Sequence, residues 1–276
     1  MAQQYRENVF CKGAGSLFLA ALLFLAPFVH ADWRATLTPE GPGPFPEVRA
    51  FHAEYRFGWS EIDAARATAS VSYNGDEVVL RAKGGTKGLA RKLYPLDATH
   101  ECRTHREGFL PIQADQLEIY SKQTLKTQIV AKPDGFWVLR ESVPAGPNPA
   151  KWKNIKFAPI RDLVSGMLFI RSQRLAPGDT VSVVIYPDSS AFLVEMKVLG
   201  TEKIPIGGAQ RDTLKLDLHI QRINFKKGGT LERHKKFESG TVWLSNDADR
   251  IPLRAEVNIF IGYIFGEITS CTFGSP

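Results

Sequence analysis

Residues 51–59 read FHAEYRFGW, and this stretch decides the fold class. Phe51, Ala53, Tyr55, Phe57 and Trp59 alternate with His52, Glu54, Arg56 and Gly58. A period of two puts every apolar side chain on one face of an extended chain, with the polar face outward. Residues 214–221, LKLDLHIQ, repeat the pattern, with Leu214, Leu216, Leu218 and Ile220 opposed to Lys215, Asp217, His219 and Gln221. The same alternation runs through 69–73, 78–82, 117–120, 136–139, 181–186, 192–198, 242–244 and 251–261. Asn74-Gly75-Asp76, Pro133-Asp134-Gly135 and Pro187-Asp188-Ser189 punctuate these runs with turn chemistry. About a dozen strands joined mostly by short turns describe an all-β fold built on a large curved antiparallel sheet. Each strand has one apolar face to cover, by closing into a barrel or by a second facing sheet, and alternation is the same in both.

One segment departs from this period. Residues 162–172 read DLVSGMLFIRS, with Leu163, Met167 and Ile170 at helical spacing. Pro159 precedes them and Asp162 stands where it can cap the first turn. The spacing predicts one helix near 161–173, entered from the loop VPAGPNPAKWKN at 143–154. Its apolar residues nearly encircle it, which predicts burial against or inside the sheet.

The N-terminus has the organisation of an export signal. Arg6 and Lys12 precede LFLAALLFLAPFV at 17–29, and Val29-His30-Ala31 supplies small residues where a signal peptidase reads. A bilayer-spanning helix needs about 20 apolar residues, so this thirteen-residue run is short for an anchor. The reading is a signal peptide over 1–31, cleaved after Ala31, with an uncleaved anchor broken by Pro27 as the alternative. No later stretch is apolar enough to span a membrane, so the expectation is a periplasmic protein that is not integral to the membrane. Residues 32–49, including PEGPGPFPE at 39–47, read as a Pro/Gly-rich leader, and 50–274 as a single β-rich domain.

Composition narrows the classes further. The 276 residues are 43% hydrophobic and 23% charged, which excludes wholesale disorder. A formal charge of +6 is too small a surplus to read as a nucleic-acid surface. Three cysteines exclude a disulfide-dense scaffold and a four-cysteine zinc site. Signal cleavage removes Cys11, leaving Cys102 and Cys271 either as a candidate disulfide or as two buried free thiols.

Other constellations are weaker. Residues 100–105 read HECRTH; in an extended chain His100 and Cys102 face one way and His105 the other, and Arg103 and Arg106 repel a cation. No metal site and no cofactor are expected. Gly84-Gly85-Thr86-Lys87-Gly88 lacks the Gly-Lys-Ser/Thr ending of a phosphate loop. It joins Lys83, Lys87, Arg91 and Lys92 into a basic patch, and a second gathers Lys226, Lys227, Lys235 and Lys236 near a hairpin tip. Either patch is solvated loop charge or a contact for anionic envelope lipid or glycan. No G-x-S-x-G elbow is present, and Ser165-Gly166 falls inside the predicted helix, where the hydroxyl bonds back to the backbone. No catalytic residue is identified.

Several stretches together resemble one bacterial exported family. Asp162 to Arg171 resembles its helix signature, Pro177-Gly178-Asp179 follows in place, and Trp243-Leu244-Ser245-Asn246-Asp247 with Arg250-Ile251-Pro252 resembles its strand-turn-strand signature. Tyr94-Pro95 and Leu110-Pro111 also match in position. The family is the domain of unknown function numbered 3108, and the resemblance covers about residues 51–270. It implies an exported, mainly antiparallel β fold and supplies no activity or catalytic residue. Asp162, Arg171, Asp247 and Arg250 are the candidate ligand-binding residues, as polar groups converging on one mouth of the sheet.

The functional expectation is a non-enzymatic protein that binds an apolar or amphipathic envelope molecule between sheet and helix. The alternative is an assembly module that docks an envelope protein through exposed strands or the 224–236 hairpin. A cell-wall hydrolase is a third class, with no positive feature behind it.

Overall fold

The computed structural model describes residues 32–41, 43–60, 62–146, 149–233, 237, 239–259 and 262–274. The expected signal peptide and its cleavage site lie outside them, as do Lys235 and Lys236. The chain divides into two compact units, 1–36 and 37–276. Within the first, Trp33–Thr36 form a 3-10 turn.

The second unit is one antiparallel sheet. Its first half is β1 (Phe51–Trp59), β2 (Ile62–Asn74), β3 (Glu77–Thr86), β4 (Leu96–His105), β5 (Pro111–Tyr120), β6 (Thr124–Lys132), β7 (Gly135–Val143) and β8 (Lys153–Ile155). Its second half is β9 (Thr180–Ile185), β10 (Ala191–Ile206), β11 (Ala209–Asn224), β12 (Thr230–Arg233), β13 (Ser239–Ser245), β14 (Pro252–Asn258) and β15 (Tyr263–Phe273). The fifteen strands run β8-β7-β6-β5-β4-β3-β2-β1-β15-β14-β13-β11-β10-β9, with β12 paired to β11. The three turns read from sequence join β2 to β3, β6 to β7, and β9 to β10.

Register explains how the first half buries itself. Phe51, Val71, Leu80, Cys102, Ala114, Ile129 and Val138 align in one continuous row from β1 through β7. All seven are buried. The next row on that face is small and polar: Ala53, Ala69, Ala82, His100, Gln116, Thr127 and Arg140. Its far end reaches the β9–β10 turn, where Gln116 Nε2 donates to Pro187 O at 2.6 Å and Arg140 meets Asp188 at 2.6 Å.

A single long helix, α2 (Leu163–Ser172), lies against the second half. Phe169 and Ile170 pack with Val181, Val183, Val194, Val198, Leu214, Leu216 and Leu244 in one core, each worth about 1.5–3 kcal/mol of burial. The space between helix and sheet is therefore filled by side chains. Burial is not uniform around α2, contrary to the encircling pattern of its sequence: Leu163 and Met167 are exposed while Val164, Ser165, Leu168 and Phe169 are not. A short helix, α1 (Gly88–Leu93), occupies the glycine-rich connection between β3 and β4.

The sheet is neither a fully laddered barrel nor a pair of facing sheets. Its two end strands, β8 and β9, are joined through the segment before α2, by a lone parallel bridge between Arg161 and Ile185. Arg161 N donates to Val184 O at 3.0 Å and Tyr186 N to Arg161 O at 2.8 Å.

The leader from residue 37 onward is part of this unit. Thr38 N donates to Ser182 O at 2.9 Å and Phe45 N to Ser172 O at 3.0 Å, and Val48 is buried. Gly43 passes so close to the end of α2 that a Cβ there would lie 2.1 Å from Ser172 O. Gly43→Ala must push two backbones apart and is expected to cost about 1–3 kcal/mol, whereas Gly146→Ala, which meets open space, is expected to stay within about 0.5 kcal/mol of wild type. Urea unfolding of both variants checks this, and equal midpoints would show that the leader does not dock on α2.

Candidate functional site

The four polar residues expected to converge do not. Asp162 heads α2, whereas Arg171, Asp247 and Arg250 meet at its other end, about 15 Å away along a ten-residue helix.

At the head, Asp162 is fully buried and accepts from Val164 N at 2.9 Å and Ser165 N at 3.4 Å, satisfying two of the open N–H groups of the first turn. Its other oxygen accepts from Cys102 Sγ at 3.0 Å and from the Ser165 hydroxyl. His100 Nε2 lies 3.4 Å from Oδ1. Burial on its own would raise this carboxyl, but the contacts from His100, Ser165 and Cys102 outweigh it and hold the group below the usual carboxylate range. Burial, reinforced by the neighbouring carboxylate, pushes the Cys102 thiol up, so it stays protonated and donates. The Ser165 hydroxyl and the Cys102 thiol both donate hydrogen bonds to Asp162, so neither is paired with His100 as nucleophile to base. His105 faces away and is exposed.

At the tail, two arginines replace a carboxylate network with backbone carbonyls. Arg250 donates to Arg171 O at 3.0 Å, to Gln173 O, and to Arg174 O at 2.9 Å, covering the last carbonyls of α2, and its guanidinium stacks 3.6 Å over Phe45. Arg171 donates to Asp249 O at 2.8 Å, Ala248 O at 3.1 Å and Glu47 O at 2.9 Å. Burial lowers Arg171 to about 10, so it remains charged. Asp247 organises the adjoining turn, accepting from Ser245 Oγ, Asp249 N and Arg250 N at 2.8–3.1 Å. All three side chains are thus engaged in tying the end of α2 to the 245–250 turn.

The cysteines are free. Cys102 on β4 and Cys271 on β15 are four strand steps apart, on the order of 15 Å or more, whereas a disulfide needs Cα atoms within about 7 Å. The expected bridge is not formed. The first basic patch is partly neutralised: Lys87 pairs with Asp63 at 3.0 Å and Arg91 with Asp97 at 2.8 Å, while Lys83 lies on β3 and Lys92 in α1. In the second, Lys226 and Lys227 form the turn after β11, and Lys227 lies 3.6 Å from Glu232.

A recess lies away from all of these. A cleft of about 1050 Å³ opens where the β6–β7 turn, the start of β5 and the irregular segment 154–160 diverge. Phe136, Trp137, Phe157, Ile160, Leu110 and Ile112 supply its apolar wall, and its polar lining carries both signs, with His105, Lys132 and Lys156 beside Glu40 and Asp134. Asn154 is held by Nδ2 on Asp134 O at 3.2 Å, which leaves its buried Oδ1 with no partner. Sequence reading missed this opening, although its signal is present in the proline-rich 143–160 stretch, which cannot add a full strand beside β7.

Fold and site together define a β-barrel-like protein, one curled antiparallel sheet closed around a helix with a lateral cleft. The chain belongs to the family of proteins of unknown function DUF3108, whose pattern matches residues 53–269. No curated protein matches it. Among solved structures, a β-barrel-like protein of domain of unknown function DUF1849 from Brucella abortus aligns over 83% of this chain and all of its own, at 8% identity and a TM-score of 0.52. The lipoprotein LppX of Mycobacterium tuberculosis aligns over 83% of this chain and 89% of its own, at 15% identity and a TM-score of 0.26. Among the described residues no helix is long and apolar enough to cross a membrane.

Asp162→Ala removes a cap and strands the thiol and hydroxyl that donate to it, and is expected to cost about 3 kcal/mol in urea unfolding. A loss under about 0.5 kcal/mol would contradict this account of the helix head. The protein denatured under non-reducing conditions is expected to titrate two thiols at Cys102 and Cys271; an intact mass two hydrogens short would show a bridge instead.

Proposed function

We propose that this is an exported, non-enzymatic protein of the periplasm that binds an amphipathic envelope molecule in the cleft between β5, β7 and segment 154–160. The reading rests above all on the cleft itself. Its volume, about 1050 Å³, suits a lipid-sized ligand, and its apolar wall carries a few polar groups on one side. Phe136, Phe157 and Ile160 suit an acyl or other apolar portion. Lys132 and Lys156 suit an anionic head group, and the open acceptor on Asn154 suits a hydroxyl or amide donor. The N-terminal signal pattern supports export, since an envelope lipid is met only beyond the inner membrane. On this reading the ligand lies beside the β7–β8 edge, since side chains fill the layer between α2 and the second half of the sheet.

The full chain, expressed with its own leader and purified without detergent, is expected to be recovered from the periplasm, to begin at Asp32, and to carry a solvent-extractable mass in native mass spectrometry. Phe157→Glu, which puts a charge on the apolar wall, is expected to weaken binding of a fluorescent fatty acid by roughly 10-fold or more. A protein that carries no added mass and binds the probe no better than the variant does would sink the proposal.

A further inference from the structure

The buried cluster at the head of α2, distinct from the cleft, brings together three donors of different chemistry. The ring nitrogens of His100, the sulfur of Cys102 and the carboxylate of Asp162 offer ligand atoms within 4.8 Å of one another. We propose that these three side chains bind a single divalent transition-metal ion of the zinc class.

Three observations carry this. First, His100 Nε2 is wholly buried and makes no well-aligned hydrogen bond, its one polar contact being the 3.4 Å approach to Asp162 Oδ1 that also holds that carboxyl down. A buried ring nitrogen left this way is costly unless its lone pair is engaged, and a metal ion engages it. Second, the spacing already approaches a coordination shell. Zinc bonds of roughly 2.0–2.3 Å at tetrahedral angles set neighbouring donors about 3.3–3.7 Å apart. Cys102 Sγ lies 3.0 Å from Asp162 Oδ2 and His100 Nε2 lies 3.4 Å from Oδ1, with all three donors within 4.8 Å of one another, so shifts of about 1 Å or less complete the shell. Third, the ligands are held from outside. His100 and Cys102 are two residues apart on one face of β4, and Asp162 is oriented by the backbone N–H groups of Val164 and Ser165 and by the Ser165 hydroxyl.

The chemistry is balanced by one proton. Cys102 gives up its thiol proton to solvent, the sulfur–metal bond forms, and the dication neutralises the thiolate and carboxylate together. A water molecule completes the fourth position. His105 is excluded, because it faces the opposite side of β4. The bound ion ties β4 directly to the first turn of α2.

The test uses the purified, chelator-treated protein titrated with Co²⁺ as a visible probe and then with Zn²⁺. One ion per chain is expected, with sulfur-to-cobalt charge-transfer and tetrahedral ligand-field bands that Zn²⁺ abolishes. Excess Zn²⁺ is expected to raise Tm by about 5 °C or more. His100→Gln is expected to weaken Co²⁺ binding at least roughly 10-fold, and Cys271→Ser to leave the bands unchanged. Folded wild-type protein that shows no thiolate band at saturating Co²⁺ overturns the proposal, as do bands that disappear with Cys271→Ser or persist at equal affinity in His100→Gln. The wild-type spectrum decides even if Cys102→Ser fails to fold.

Discussion

The structure depends on a ten-residue helix held by opposite charges at its two ends. Asp162 answers the open N–H groups at the head of α2, and Arg250 answers the open carbonyls at its tail. Each charge matches the pole of the helix dipole that it faces. Each also reaches a different part of the sheet: Asp162 contacts β4 through Cys102 and His100, and Arg250 carries the turn between β13 and β14. The helix thus bridges the two halves of a sheet whose last strand, β9, pairs beyond β10 only with Arg161, in the segment that follows β8. Arg250 pays a modest conformational cost for this, adopting φ of +48° in the left-handed region, which its three carbonyl contacts offset.

Buried arginines on carbonyls rather than carboxylates give this design a particular character. Arg161, Arg171 and Arg250 are all buried, and their guanidinium groups serve chain segments: Gly108 O, the 248–249 turn with Glu47 O, and the end of α2. Arg161 also lies 4.0 Å over the Phe169 ring. Five or fewer directional donors on a planar group can gather several loops that share no ladder. That is how a proline-rich leader and an irregular seam become rigid without regular secondary structure. The same irregularity opens the cleft, since the chain adds only three strand residues, Lys153–Ile155, beside β7 and then leaves it.

The strands with large inward residues were legible in the sequence, and so were the helix and its cap. β9, β10 and β11 alternate visibly because Val183, Val194 and Leu216 face a deep core, whereas in β1 the expected apolar face holds at Phe51 and Ala53 and then breaks at register shifts that leave Phe57 and Trp59 exposed. β4 was not legible as a core strand, because the residues it turns inward are Ala98, His100, Cys102 and Thr104, which are small or polar and show no apolar alternation of their own. β6 hides in the same way behind Thr127. The candidate site was less accessible still. Asp162 was identified as a cap, but its meeting with His100 and Cys102 joins residues sixty positions apart, and local spacing points instead to His105. Arg171 and Arg250 were identified as a mouth of polar residues, yet their partners are backbone carbonyls, which no sequence pattern displays.

The most direct test of the helix as clasp is residue-resolved hydrogen exchange on the native protein. The account predicts that the amides of α2, of Arg161 and of Tyr186 exchange together with those of β9 and β10, at the free energy of global unfolding. Exchange of α2 and the seam through a separate low-energy opening, while β9 and β10 stay protected, would contradict it.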